Sequence, residues 1–225
     1  MPTSTVEDYL KRILLEEERA EAGARVPTGR IATALDVSPG TVTSMVKALA
    51  DGGLVEYEPY GGVRLTVAGR QLAAHVLRRH RLIELFLVKV LKMDWSQVHG
   101  DAESLEHAVS DRVLERIDEM LGHPKVDPHG DPIPDAAGAF PQPSLDSLLD
   151  CPLARPLVVA RVSDQDPEFL QLVDRRGLKP GSSLTVLKRD DSAAMIELRL
   201  ASGESLWLGE RAASKILVEA STAAG

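Results

Sequence analysis

The sequence predicts a mainly α chain with a small β component: an N-terminal winged helix-turn-helix, a helical dimerisation domain and a C-terminal SH3-like β-barrel. Three observations carry this expectation. Two short helical patterns meet at a tight turn and lead directly into a β-hairpin. A longer helical region follows, with histidines and carboxylates on its faces. Beyond a proline-rich stretch, the remaining residues alternate in short strands broken by Gly, Pro, Ser and Asp. The expected boundaries are 1–68, 69–140, a linker over 141–156, and 157–225.

The helix-turn-helix is read from its capping chemistry. Val6, Tyr9, Leu10, Ile13 and Leu14 recur at helical spacing within 4–22, with Thr3, Ser4 or Thr5 as N-cap and Glu7 and Asp8 favourable in the first turn. Pro27 and Thr28 open a short helix, Gly29 to Leu35, which buries Ile31 and Leu35. Ser38 is then an N-cap candidate and Pro39 suits the first helical position of Thr41 to Asp51. That helix buries Val42, Met45, Val46 and Leu49 and stops at Gly52-Gly53. The runs Leu54 to Glu58 and Val63 to Thr66 flank Pro59-Tyr60-Gly61-Gly62 as a hairpin, hence a wing. Short donors and one cation on the second helix, Thr41, Thr43, Ser44 and Lys47, suit base edges and phosphates in a major groove. Thr28, Ser38, Pro39 and Gly40 complete the candidate DNA-binding set.

From Thr66 to about Leu91 a longer helix carries Ala68, Leu72, Val76, Leu77, Leu82, Leu85 and Phe86 inward, with His80 and Glu84 four apart on one face. Asp94 can cap the next helix, and Trp95 reads as core. The stretch His99 to His107, turned at ~100° per residue, puts His99, Glu103, Glu106 and His107 on one side, a divalent-metal surface. The pattern continues as helix to Met120, with Val109, Val113, Leu114, Ile117 and Leu121 as a stripe able to pack on a neighbour or on a second copy of the chain. Residues 123–156 hold 8 of the 14 prolines, and His123 and His129 within them read as solvated turn residues. Strands are expected at 157–162, 184–187, 195–200 and 205–208, interrupted by a helix from Pro167 to Arg176.

Composition narrows the function. No apolar run approaches the ~18 residues that span a bilayer, and Met1 to Tyr9 is polar and acidic, so neither a membrane nor export is expected. A single cysteine, Cys151, excludes an intrachain disulfide or a thiolate zinc cluster and fits a reducing cytoplasm. The net charge of −8 is uneven, with 13 acidic and 3 basic residues in 93–150 against 1 and 6 in 66–92. A nucleic-acid binder is usually basic. Bound divalent cations on the acidic part would resolve that conflict.

Glu7-Asp8-Tyr9-Leu10, Arg79-His80-Arg81-Leu82, Val98-His99 with Glu103-x-x-Glu106-His107, and Asp127-Pro128-His129-Gly130-Asp131-Pro132-Ile133-Pro134, in this order, resemble the diphtheria toxin repressor family of metal-dependent transcriptional repressors. The resemblance covers essentially the whole chain and is closest to the manganese-responsive branch. It implies a primary metal site of Asp8, Glu103, Glu106 and His107, and a second of His80, Glu84 and His99 completed by Gln165 and Glu168 from the barrel. Iron-responsive members of that family have a methionine at the position of Asp8 and a cysteine at that of Glu103. Carboxylates at both suit the harder Mn²⁺. The smaller manganese regulators have a glutamate where this chain has Lys11, so a separated pair of sites is implied here.

The resemblance thus implies a cytoplasmic Mn²⁺-dependent repressor of metal-homeostasis genes, binding palindromic double-stranded operator DNA as a homodimer, with two ions per chain and no small-molecule substrate. An Fe²⁺-dependent repressor is the main alternative. A two-metal hydrolase and a metal-independent winged-helix regulator are the others. The hydrolase reading lacks an obvious spare general base.

Overall fold

A computed structural model describes residues 3–20, 23–139, 141 and 143–221. The tail of the first predicted helix, Glu21 and Ala22, lies outside the described residues, as do Phe140 and Thr222 to Gly225, where two of the expected domains end. The chain divides into two compact units: Met1–His80 with Glu106–Val109 and Pro134–Phe140, and Arg81–Leu105 with Ser110–Ile133 and Pro141–Gly225.

The first unit begins with α1 (Ser4–Arg19), where Thr3 Oγ1 accepts a hydrogen bond from the Val6 amide and caps the helix. α2 (Thr28–Leu35) ends on Asp36 in the left-handed region, at φ 52°, and three residues later α3 (Pro39–Asp51) starts with Ser38 as its N-cap. A short polar residue at φ > 0 is what so tight a turn between helices requires. β1 (Val55–Glu58) and β2 (Gly62–Leu65) pair antiparallel, Val55 opposite Leu65, and Val26 adds a bridge to Val63. The wing is therefore three segments wide at its base. Leu10, Ile13, Leu14, Ile31, Val42, Val46 and Val63 are fully buried in one core, each worth roughly 1.5–3 kcal/mol of burial.

α4 (Val67–Lys89) runs as one helix through the division between the units. The predicted helix from His99 to Met120 is two helices, α5 (Val98–Glu106) and α6 (Asp111–Met120). Ser110 caps α6 through its hydroxyl, which accepts from the Val113 amide, and this N-cap chemistry breaks the run. Val98 and Ala102 are buried in α5, whereas Leu105, Val113 and Met120 are exposed apolar side chains.

The second unit closes on a six-stranded antiparallel sheet. Its strands are β3 (Asp146–Ser147), β4 (Pro156–Val162), β5 (Ser183–Asp190), β6 (Met195–Leu200), β7 (Ser205–Gly209) and β8 (Ile216–Ala220), in the order β3-β8-β4-β5-β6-β7. Register shifts at Val159/Arg161 and Val186/Lys188 mark bulges, which bend strands and let a small sheet curl over its core. α7 (Pro167–Arg175) and the short α8 (Glu210–Ala213) lie within this region, with Leu170, Val173 and Ala213 in the core. β3, β8 and α8 are additions to the sequence expectation.

The segment 127–133 is buried, because it packs along β4. The Val162 amide donates to the His129 carbonyl at 2.8 Å, and a Cβ on Gly130 would stand 2.0 Å from the Ala160 carbonyl oxygen. His129 is 1% exposed, so the expectation that it is a solvated turn residue is overturned. Proline density here removes backbone donors without removing burial. His123, by contrast, is exposed and pairs with Asp118 at 2.8 Å.

Candidate metal centre

In the first unit, α1 and the segment starting at Glu106 bring their ionisable side chains together. Helical spacing places Glu7 and Lys11 on one face of α1, one turn apart, with Asp8 beside them. Because α5 stops at Glu106, His107 lies in the turn that follows, and its ring meets α1. His107 Nδ1 is 2.7 Å from Glu7 Oε2, and Nε2 is 2.9 Å from Asp8 Oδ1 and 3.4 Å from Glu106 Oε1. Asp8, Glu106 and His107 each offer a ligand atom within 4.8 Å of the others. Glu106 is fully buried, with Lys11 Nζ 2.5 Å from Oε1 and His80 Nδ1 2.6 Å from Oε2.

The charges are mutually tuned. Burial pushes the Glu106 carboxyl up, but His80 and Lys11 outweigh that and hold it below the usual glutamate value. Burial lowers the His107 imidazole, yet Glu7, Glu106 and Asp8 prevail and hold it above the ordinary histidine value. An imidazole flanked by carboxylates at both nitrogens is a cation's partner set in the metal-free state. With its proton lost from Nε2, the same nitrogen and the oxygens of Asp8 and Glu106 form an N,O donor set for a hard divalent ion. Glu7 then holds the other nitrogen, the outer-shell carboxylate that metal-bound histidines commonly have.

Residues 1–63 match the family profile described as iron dependent repressor, N-terminal DNA binding domain, and residues 66–135 its metal binding and dimerisation domain. Residues 147–220 match the FeoA domain. The iron-dependent repressor IdeR of Mycobacterium tuberculosis is 34% identical over 195 residues, which cover 81% of this chain and 83% of that protein.

The chain belongs to the diphtheria toxin repressor family.

As a member of that family it is a metal-dependent transcriptional repressor and not an enzyme. Its solved relatives include a manganese-dependent transcriptional repressor in complex with manganese, 42% identical with a TM-score of 0.86, covering 96% of this chain and 99% of that one. The manganese-activated repressor ScaR, in its apo form, is 34% identical with a TM-score of 0.76, covering 95% and 99%. The regulator MntR of Shouchella clausii is 38% identical over 122 residues, 54% of this chain and 82% of that protein. No helix among the described residues is long and apolar enough to cross a membrane.

The repressor's second unit holds another acidic and histidine group. Glu84, Asp127 and His129, all buried, present ligand atoms within 4.8 Å of one another. His129 Nε2 is 3.0 Å from the Trp95 carbonyl, which can only accept, so the proton of a neutral ring sits on Nε2 and Nδ1 carries a lone pair. That Nδ1 faces Glu84 Oε2 at 3.8 Å and Asp127 Oδ2 at 4.0 Å. Neither Nδ1 of His129 nor Oδ2 of Asp127 has a hydrogen-bond partner among the described residues. Burial first, then the charges of Asp131 and Glu84, push the Asp127 carboxyl well up. Two lone pairs without a hydrogen bond, on His129 and Asp127, beside the Glu84 carboxylate are an arrangement a cation would satisfy. Around them Arg81 pairs with Asp127 at 3.8 Å and Asp131 at 3.7 Å, and Arg161 with Asp131. Sequence reasoning set His129 aside as a solvated turn residue and missed Asp127 as a candidate donor. The Asp-x-His-x-Asp spacing was the available signal.

The other expected residues fall as follows. His99 Nδ1 is 3.1 Å from Glu84 Oε1, and its Nε2 is 3.5 Å from Glu103 Oε1. Gln165 Nε2 donates to Asp131 Oδ2 at 3.3 Å, and Glu168 is exposed in the first turn of α7. On α3 and its approach, Ser38, Pro39, Gly40, Thr41, Ser44 and Lys47 are exposed, with Thr28 and Thr43 partly so. The Thr43 and Ser44 hydroxyls donate to the Pro39 and Gly40 carbonyls. Their lone pairs stay available to other donors.

Proposed function

We propose that this repressor responds to manganese and binds two divalent ions per chain. The observation that carries the reading is the donor set of Asp8, Glu106 and His107: two carboxylates and one imidazole, with no sulfur. Hard oxygen donors with an imidazole accept Mn²⁺, while affinity alone follows the Irving-Williams order, so selectivity rests on geometry and availability. Cys151, the only cysteine of the sequence, is buried in the sheet core beside Arg189 and is no ligand. The manganese-bound relative at 42% identity supports the same metal. The relatives named for iron keep Fe²⁺ as the competing signal.

Asp8, Glu106 and His107 are the proposed first set, to which the family resemblance adds Glu103. Glu84, Asp127 and His129 are the proposed second, on the strength of their convergence and of the lone pairs of His129 Nδ1 and Asp127 Oδ2 that lack a hydrogen bond. The resemblance implies a different second set, His80, Glu84, His99, Gln165 and Glu168, within which His99 Nδ1 stands 3.1 Å from Glu84 Oε1. The two assignments share Glu84 and differ in which histidine matters.

The divalent ion is the signal, and it supplies positive charge where carboxylates accumulate. Asp8 lies on α1, within the reading head that also holds α3. Tying α1 to Glu106 and His107 fixes that head, and in a two-fold dimer its position sets the spacing of two α3 helices against two half-sites of a palindromic operator. A coupling of ~1–3 kcal/mol between ion and DNA amounts to a roughly 5- to 150-fold change in affinity. Neutralised carboxylates also repel phosphate less. The exposed Leu105, Val113 and Met120 suit a surface covered by a second copy. A cytoplasmic protein on metal-homeostasis promoters follows from this role.

The test is fluorescence anisotropy of labelled operator duplex under anaerobic conditions, titrated with repressor in Mn²⁺, Fe²⁺ and chelator. The reading expects binding in Mn²⁺ at concentrations where Fe²⁺ is ineffective, and loss with chelator. Equal affinity in Mn²⁺ and chelator would refute it.

A further inference from the structure

The first unit holds a cation of its own at the metal centre. Lys11 is 8% exposed, and its ammonium stands 2.5 Å from Glu106 Oε1. That oxygen is the one His107 Nε2 approaches at 3.4 Å, so the ammonium and the ligand nitrogen converge on a single carboxylate oxygen. The other oxygen of Glu106 is engaged by His80 at 2.6 Å. A fully buried carboxylate without a compensating charge is costly, and Lys11 supplies that charge when no divalent ion does. An ion held by Asp8, Glu106 and His107 then meets a positive charge already bound to one of its ligand oxygens.

We propose that Lys11 is the built-in counter-cation of this centre, neutralising Glu106 in the metal-free repressor and weakening divalent-ion binding by competing for the same oxygen. This rests on the reading of Asp8, Glu106 and His107 as the metal donors. The ammonium keeps the metal-free site folded and sets how much ion is needed to fill it. Arg79, whose Nη1 is 3.9 Å from Glu7 Oε1, adds a second positive charge to the same neighbourhood, so Lys11 and Arg79 offset much of the charge of Glu7, Asp8 and Glu106 before any ion arrives. A divalent ion entering this centre is opposed by the fixed cations, and removing one of them relieves that opposition.

The experiment compares the full chain with its Lys11→Met, Lys11→Gln and Lys11→Arg variants by calorimetric titration with Mn²⁺, together with thermal unfolding of the metal-free forms. The expected result is that one of the two Mn²⁺ constants tightens at least ten-fold in both neutral variants, while the other constant is unchanged. Lys11→Arg, which keeps the charge, stays within about three-fold of the wild type. The metal-free neutral variants melt lower than the wild type, and saturating Mn²⁺ closes the difference. Unchanged or weaker Mn²⁺ binding in both neutral variants would overturn the role of Lys11, as would tightening by Lys11→Arg. A wild-type protein that binds no Mn²⁺ overturns the metal reading itself, and Lys11's role with it.

Discussion

His107 Nδ1 lies 2.7 Å from Glu7 Oε2, so the imidazole is held from the side opposite the nitrogen that faces Asp8 and Glu106. Glu7 orients the ring and leaves Nε2 for the ion. Glu7→Gln keeps the shape but removes the charge that favours an Nδ1 proton. The expected outcome is a 10- to 100-fold loss of Mn²⁺ affinity at one site, the usual cost of an outer-shell partner, read by calorimetry.

Because Glu7, Glu106 and Asp8 hold His107 above its ordinary value of about 6.5, the metal-free protein keeps that interaction below pH ~6.5 and loses it as pH rises through the raised folded value. The ion needs the neutral ring, so the dependence reverses on binding. Mn²⁺ affinity should fall as pH drops through the folded value, with a proton released on binding. Titrations in buffers of different ionisation enthalpy measure that proton, and a pH-independent affinity would contradict the assignment of Nε2.

His129 and His99 separate the two assignments of the second ion. His129→Ala removes the lone pair between Glu84 and Asp127 and should reduce the stoichiometry from two Mn²⁺ to one per chain. His99→Ala, at a partly exposed ring, should leave two. Metal analysis after desalting, with the reverse pattern, would favour the set implied by the resemblance.

Gly130 sits at φ 87°, and a Cβ there would stand 2.0 Å from the Ala160 carbonyl. Gly130→Ala must therefore move the 127–133 segment from β4. A loss of about 2–4 kcal/mol is expected from combined strain and displacement, measured by urea unfolding of the metal-free protein.

These residues also mark what a sequence can reveal. The reading head was legible because its cues are local: Ser38 before Pro39, Val42 and Val46 at helical spacing, glycines at the hairpin. Asp8, Glu106 and His107 appeared through the resemblance and helical periodicity, although periodicity also carried α5 past its true end at Glu106. The Glu84-Asp127-His129 group was hidden, because a run of prolines and aspartates looks solvated until its contact with β4, some thirty residues onward in sequence, is known. Lys11 was visible only as a departure from the smaller manganese regulators. That its ammonium meets Glu106, 95 positions away, is a tertiary fact no helical pattern contains.

In the proposed mechanism Asp8, Glu106 and His107 bind the ion that licenses DNA binding. The most direct measurement is operator affinity by anisotropy for His107→Ala beside the wild type, each with saturating Mn²⁺ and with chelator. The account predicts that Mn²⁺ raises wild-type affinity by roughly 5- to 150-fold and leaves the variant at the wild type's chelator value. A His107→Ala protein that Mn²⁺ still activates to the wild-type level would contradict it.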